Sequence, residues 1–298
     1  MFTNKSSLAG PVATLAFLVL SLGACDSDQA GAGASAGRAD GAAAAARPRY
    51  QLGSGDTVQS EGPGAVISQM MAYTEERDEL VYGYFSTPAG MFEPLPAIIM
   101  IHEWWGLNDH IRAMADMLAA EGYIVFAVDL FHGKVATTPD KARALMVEVL
   151  EDPEPANRNL LAAYEFVSST AGAPRVATIG WRFGGQWSLN AARLLLDDLD
   201  ACVLYYGQVS NDEDKLRPIS SPILALFAAR DNSIKAEAVE AFDTALQHLR
   251  KNYEIKIYPG VRSGFANLTS PNFNDNAAAD AWLRTLQFLE LHLSIDDS

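Results

Sequence analysis

Cysteine is nearly absent from this chain: 298 residues contain Cys25 and Cys202 and no others. A disulfide-stapled scaffold is therefore excluded, and stability has to come from a hydrophobic core. Basic residues are also scarce, with 22 Lys and Arg against 37 Asp and Glu and a net charge of −15. That balance, with no basic patch, excludes nucleic acid as a partner and argues against electrostatic adhesion to anionic lipid. Metal-ligand spacings and nucleotide-binding loops are missing as well, so the sequence implies no metal and no cofactor. What is plentiful is apolar residues, 49% of the chain. That is enough for one large core, and α/β folds of about 250 residues often form a single domain.

The first 24 residues carry Lys5, then the apolar run Val12 to Leu20, then small residues leading to Cys25. The run is too short to span a bilayer comfortably and reads as the core of a signal peptide. The segment Leu22-Gly23-Ala24-Cys25 resembles a bacterial lipobox, in which the leader is removed and the cysteine is acylated. The expectation is a lipoprotein of the cell envelope, with its N-terminal acyl anchor as the membrane contact. Loss of the leader with its single charge, Lys5, would take the net charge from −15 to −16. The following stretch, assigned here as residues 25–60, is rich in Ala, Gly and Ser with few bulky apolar residues, and reads as a disordered tether. Residues 61–298 form the expected globular domain.

Within that domain two alternating stretches, Val66–Tyr73 and Leu80–Ser86, read as an antiparallel lead-in pair. The run Ala97–Ile101 suits a strand buried on both faces. Asn108 is placed to cap a helix with apolar positions Ile111, Met114, Met117 and Leu118, ended by Gly122. Strands at Tyr123–Val128, Val176–Ile179, Ala201–Tyr206, Ile223–Ala228 and Glu254–Tyr258 then alternate with helical segments. These lie at 141–150, 156–169, 183–196, 236–249 and 277–293. This alternation predicts a mostly parallel sheet covered by helices on both faces. Ligands of such sheets sit beyond the carboxyl ends of the strands.

The most specific motif is Gly180-Trp181-Arg182-Phe183-Gly184-Gly185, set between a strand and a helix. Hydrolases of the α/β-hydrolase fold hold their nucleophile at the centre of a Gly-x-Nuc-x-Gly turn, whose glycines permit a sharp bend onto a helix N-terminus. The backbone N–H of the next residue, here Phe183, is then available to an oxyanion. The centre of this turn is Arg182, whose guanidinium stays protonated and cannot attack a carbonyl.

Four segments together resemble the dienelactone hydrolase family. They are Ile101-His102-Glu103-Trp104-Trp105-Gly106-Leu107-Asn108, the elbow 180–185, Ala229-Arg230-Asp231-Asn232-Ser233-Ile234, and the loop from Tyr258-Pro259-Gly260 to Gly264-Phe265-Ala266-Asn267. The likeness runs from about Ala65 to Leu293 and implies the α/β-hydrolase fold. It also implies hydrolysis of a carboxylic ester or lactone by a Cys-His-Asp triad assisted by a glutamate. Carried onto this chain, the aspartate is Asp231 and the assisting glutamate is Glu103. The cysteine position is Arg182 and the histidine position is Ser263. The oxyanion donors implied are the N–H groups of Trp104 and Phe183. Nucleophile and base are thus substituted within a retained frame, and the expectation is an inactive or severely impaired hydrolase. A surviving ester or lactone hydrolase with a rewired site is the alternative.

Other residues offer weaker replacements. Cys202 lies mid-strand and reads as core filling, Ser188 lies nearly two turns along the elbow helix, and Ser263 lacks a base. His102, at a strand end, is the better substitute base than His110, though a structural role suits it more. His132, His248 and His292 look unremarkable. Arg182 admits two readings. In one it pairs with Glu103 and Asp231 and plugs the pocket. In the other it joins Arg262 in binding a carboxylate or phosphate, with Trp104, Trp105, Trp181 and Phe183 as candidate walls. The ligands implied are a small carboxylate, ester or lactone.

Overall fold

The computed structural model describes residues 57–59, 64–91 and 93–295. The leader and Cys25 lie outside the described residues. The strands are β1 (Thr57–Gln59), β2 (Val66–Glu76), β3 (Glu79–Pro88), β4 (Ala97–Ile101), β5 (Ile124–Val128), β6 (Val176–Trp181), β7 (Ala201–Tyr205), β8 (Ile223–Ala228) and β9 (Tyr253–Tyr258). They form one sheet in the order β1-β2-β3-β5-β4-β6-β7-β8-β9. The hairpin β2–β3 joins β5 antiparallel, and from β5 to β9 every neighbouring pair is parallel. This is the α/β-hydrolase architecture expected, mostly parallel with an antiparallel lead-in pair. One boundary is corrected: β1 pairs with β2 through Thr57, Val58 and Gln59, so the sheet begins inside the last residues assigned to the tether.

The helices are α1 (Asp109–Ala120), α2 (Pro139–Glu151), α3 (Glu154–Glu165), α4 (Phe183–Leu195), α5 (Glu213–Leu216), α6 (Ala236–His248) and α7 (Asp275–Leu293). Asn108 caps α1 as expected, its side chain accepting from Ile111 N at 3.1 Å. The short α5 and a π-helical turn at Phe166–Thr170 were not anticipated. Both lack the sustained apolar period that marks a longer helix.

Parallel strands bury both faces, so the central ones carry no polar alternation. Ala97–Ile101, Ile124–Val128 and Ile223–Ala228 are buried throughout. Strand β7 shows the two covering layers, because successive side chains point to opposite faces. Cys202 meets Ser188 of α4, while Tyr205, three residues on, donates to Ala281 O and bonds Thr285 of α7. The register sets Ile101 beside Gly180 and Gly180 beside Leu204, so the loops after β4, β6, β8 and β9 open on one edge. Those four loops carry Glu103, Arg182, Asp231 and Ser263.

Candidate active site

The elbow is built by close backbone approach. A Cβ on Gly180 would lie 2.1 Å from Gly184 O, and one on Gly184 would lie 2.1 Å from Ile101 O and 2.6 Å from His102 O. Glycine is required there because nothing larger lets α4 start directly against β4 and β6. The turn leaves Arg182 at φ 53°, ψ −112°, a region that non-glycine residues rarely adopt and that stores strain of about 1–3 kcal/mol. Arg182 N donates to Tyr205 O at 3.0 Å, and Arg182 O accepts from Gln186 N at 3.1 Å. The backbone of a nucleophile elbow is therefore complete around an arginine.

Phe183 is the first residue of α4, so its N–H precedes the intrahelical ladder. The Trp104 N–H has no hydrogen-bond partner among the described residues, and its turn is closed by Gly106 N donating to Glu103 O at 3.2 Å. The Gly184 contacts bring the end of β4 against the start of α4. Two backbone N–H groups, those of Trp104 and Phe183, are thus free of intrahelical partners near the facing ends of β4 and α4.

Glu103 is buried, and its carboxyl is held above the ordinary carboxylate range by burial, offset in part by the nearby Arg182 charge and by Asn267 Nδ2, which donates at 3.2 Å. Asp231 is fixed by its own loop: Oδ1 accepts from Ser233 N at 2.7 Å, Ser233 Oγ at 2.6 Å and Ile234 N at 3.2 Å. Its Oδ2 is buried without a partner, and so is Ser263 Oγ. The pairing of Arg182 with both acids is not formed; among the described residues no ion pair joins Arg182 to either carboxylate. Instead its guanidinium carbon lies 5.9 Å from the Tyr206 ring centroid, at the outer limit of a cation–π contact. Two cavities meet at Arg182. One, of about 300 Å³, is bounded by Glu103, Trp104, Trp105 and Asn267; the other, of about 280 Å³, by Arg230, Asp231, Arg262 and Ser263.

The remaining candidates resolve into structural roles. His102 is fully buried with both nitrogens engaged: Nδ1 bonds Glu103 O at 2.7 Å, and Nε2 accepts from Leu130 N at 3.1 Å. Burial holds its pKa below the ordinary histidine value, and no lone pair is left to act as a base. Ser188 Oγ lies 2.8 Å from Val203 O and 2.9 Å from Thr178 Oγ1, hydrogen-bonded within the core. The Cys202 thiol is fully buried and pushed up to about 11 by desolvation, which removes it as a nucleophile. His110 borders neither cavity. Trp181 and Phe183 are core residues, packed on Tyr205 and on Phe131 and Trp187. Only Trp104 and Trp105, with ring centroids 4.9 Å apart, wall a cavity. Sequence reasoning assigned no role to Arg230, Tyr206 or Asn272. Arg230 could have been found from its position beside Asp231, whereas Asn272, which donates to Ser263 O at 2.9 Å, carries no local signal. Among the described residues no cluster of His, Cys, Asp and Glu is arranged to hold a metal ion.

Residues 81–293 match the dienelactone hydrolase family. The chain belongs to that family. A Saccharolobus solfataricus protein provisionally named carboxymethylenebutenolidase is 28% identical over 246 residues, covering 70% of this chain and 93% of its own. Protein usf of Aquifex pyrophilus is 29% identical over 235 residues, 76% of this chain and all of that one. Among solved structures, a Klebsiella pneumoniae protein provisionally named dienelactone hydrolase superposes with a TM-score of 0.66 at 26% identity, over 75% of this chain and 98% of its own. A dienelactone hydrolase-like promiscuous phosphotriesterase from metagenomic libraries shares the fold, with a TM-score of 0.69 at 20% identity and 77% of this chain covered. Glu103 and Asp231 lie on the loops after β4 and β8, and Arg182 on the turn after β6.

Proposed function

We propose that this protein is a lipid-anchored member of the dienelactone hydrolase family that binds a small carboxylate, ester or lactone at the cleft and has given up ester hydrolysis. The observation that carries the reading is Arg182 at the centre of an intact elbow with no imidazole across from it. A guanidinium cannot be the nucleophile, and Ser263, with its hydroxyl unpaired, has no base to activate it. In a related triad, losing the nucleophile or the base costs several orders of magnitude in rate, leaving only what binding and the oxyanion donors supply. Here both are replaced. The cavity beside Trp104 and Trp105 is suited to the apolar part of a ligand. The rewired hydrolase reading needs a substitute base, and the engaged nitrogens of His102 speak against it. Cys25 in its lipobox-like context supports the anchoring half of this reading, with the cell envelope as the location it implies.

The test is hydrolysis of an aryl ester and of a dienelactone by the full chain, beside Arg182→Cys, Ser263→His and the double variant. The wild type and both single variants are expected to show no turnover above buffer. The double variant, with thiol, imidazole, Asp231, Glu103 and the oxyanion donors together, is expected to hydrolyse the aryl ester. Wild-type turnover that disappears on Arg182→Ala would overturn the reading in favour of a rewired site.

A further inference from the structure

The cavity of about 280 Å³ beside Arg182 is lined by three arginines, Arg182, Arg230 and Arg262, and one carboxylate, Asp231. None of the three guanidiniums is ion-paired with a protein carboxylate among the described residues. Three guanidinium residues on one concavity suit an anion by charge, since guanidinium donors match the oxygens of a tetrahedral oxyanion. With Asp231 counted, the cavity carries a formal charge of +2, which a dianion balances and a monocarboxylate does not. At the same wall, Asp231 Oδ2 and Ser263 Oγ are buried without partners, and Ser263 is only 5% exposed. An ionised carboxylate can only accept hydrogen bonds, so the free Oδ2 calls for a donor. An occupant with two negative charges and a proton of its own to give would meet both requirements.

We propose that this cavity is a binding site for inorganic phosphate in its hydrogen phosphate form. Near neutral pH that ion carries about two negative charges and keeps one proton. Its three unprotonated oxygens accept from the guanidiniums, its hydroxyl donates to Asp231 Oδ2, and Ser263 Oγ can serve either role. Sulfate has the same shape and charge but no proton, and a fully ionised phosphomonoester has none either, so both leave the Asp231 oxygen unpaired. The inference rests on the proposed function in one respect, that Arg182 holds a ligand.

Calorimetric titration of the full-length protein with phosphate, sulfate and glycerol 3-phosphate, at constant ionic strength and neutral pH, tests it. Phosphate is expected to bind about tenfold tighter than either competitor, the size of one well-made charged hydrogen bond. Arg230→Ala and Arg262→Ala change exposed side chains that the fold does not need. Each is expected to weaken phosphate binding several-fold, and Arg182→Leu by about tenfold or more. Asp231→Asn is expected to abolish the preference over sulfate. Equal affinity for sulfate, tighter binding of the phosphomonoester, or affinity indifferent to Arg230 and Arg262 would overturn the proposal, as would no binding at all. Ester hydrolysis is read on the same samples. Turnover with phosphate binding intact would sink the non-hydrolytic reading alone, and loss of phosphate binding without turnover would sink this proposal alone.

Discussion

Arg182 keeps the strained backbone of a nucleophile elbow because that conformation is set by its neighbours. Gly180 and Gly184 allow β6, α4 and β4 to meet within van der Waals distance, and the residue between them takes the dihedrals the crossing leaves. Side-chain chemistry at the centre is thus free to change while the turn persists. Glu103 shows the opposite dependence, since its ionisation is governed by what surrounds it. Burial raises its pKa, so its carboxyl contributes most stability when protonated in both folded and unfolded states. That contribution is lost as pH rises through the folded-state value. Glu103→Gln stays neutral at every pH and keeps an oxygen to accept from Asn267. It is therefore expected to raise the melting temperature near pH 8, with the gain shrinking on acidification and gone by about pH 4. Thermal melts across that range decide it, and a variant destabilised at high pH would show that the Arg182 charge outweighs desolvation.

Helix α1 is tied to the lead-in hairpin by a single buried acid. Asp116 accepts from Ser68 at 2.6 Å, Ser86 at 2.8 Å and Tyr84 at 3.0 Å. The contact joins one helix to two antiparallel strands that have no parallel neighbour on their outer side. Burial raises the Asp116 carboxyl, and the three hydroxyl donors oppose that shift. Asp116→Ala strands those hydroxyls and is expected to cost about 3 kcal/mol, read from urea unfolding. Asp116→Asn keeps one acceptor oxygen and is expected to lose less. These elements were legible as a lead-in pair and an amphipathic helix, because alternation and helical spacing are local properties. The acid between them was not singled out, because Ser68, Ser86 and Asp116 meet only after the helix packs.

At the scale of the molecule, the proposed acyl anchor rests on the sequence around Cys25. No helix among the described residues is long and apolar enough to cross a membrane. Cys25→Ser is expected to move the protein from the membrane fraction to the soluble fraction of cells, followed by fractionation and immunoblotting. Retention of the variant in the membrane fraction would refute an acyl anchor at Cys25. The order of the longer strands and helices and the glycine elbow were readable from the sequence, since each is carried by a local pattern of apolar residues, glycines and motif spacing. The partners of Arg182 were not. Its reach to Glu103 and Asp231 depends on distances between the loops that follow β4, β6 and β8, and only packing of those loops decides that no ion pair forms. Packing alone also brought Arg230 and Arg262 to the same cavity and turned both nitrogens of His102 inward. Local sequence determines what each loop carries, and the crossing of strands far apart in the chain determines what the loops face.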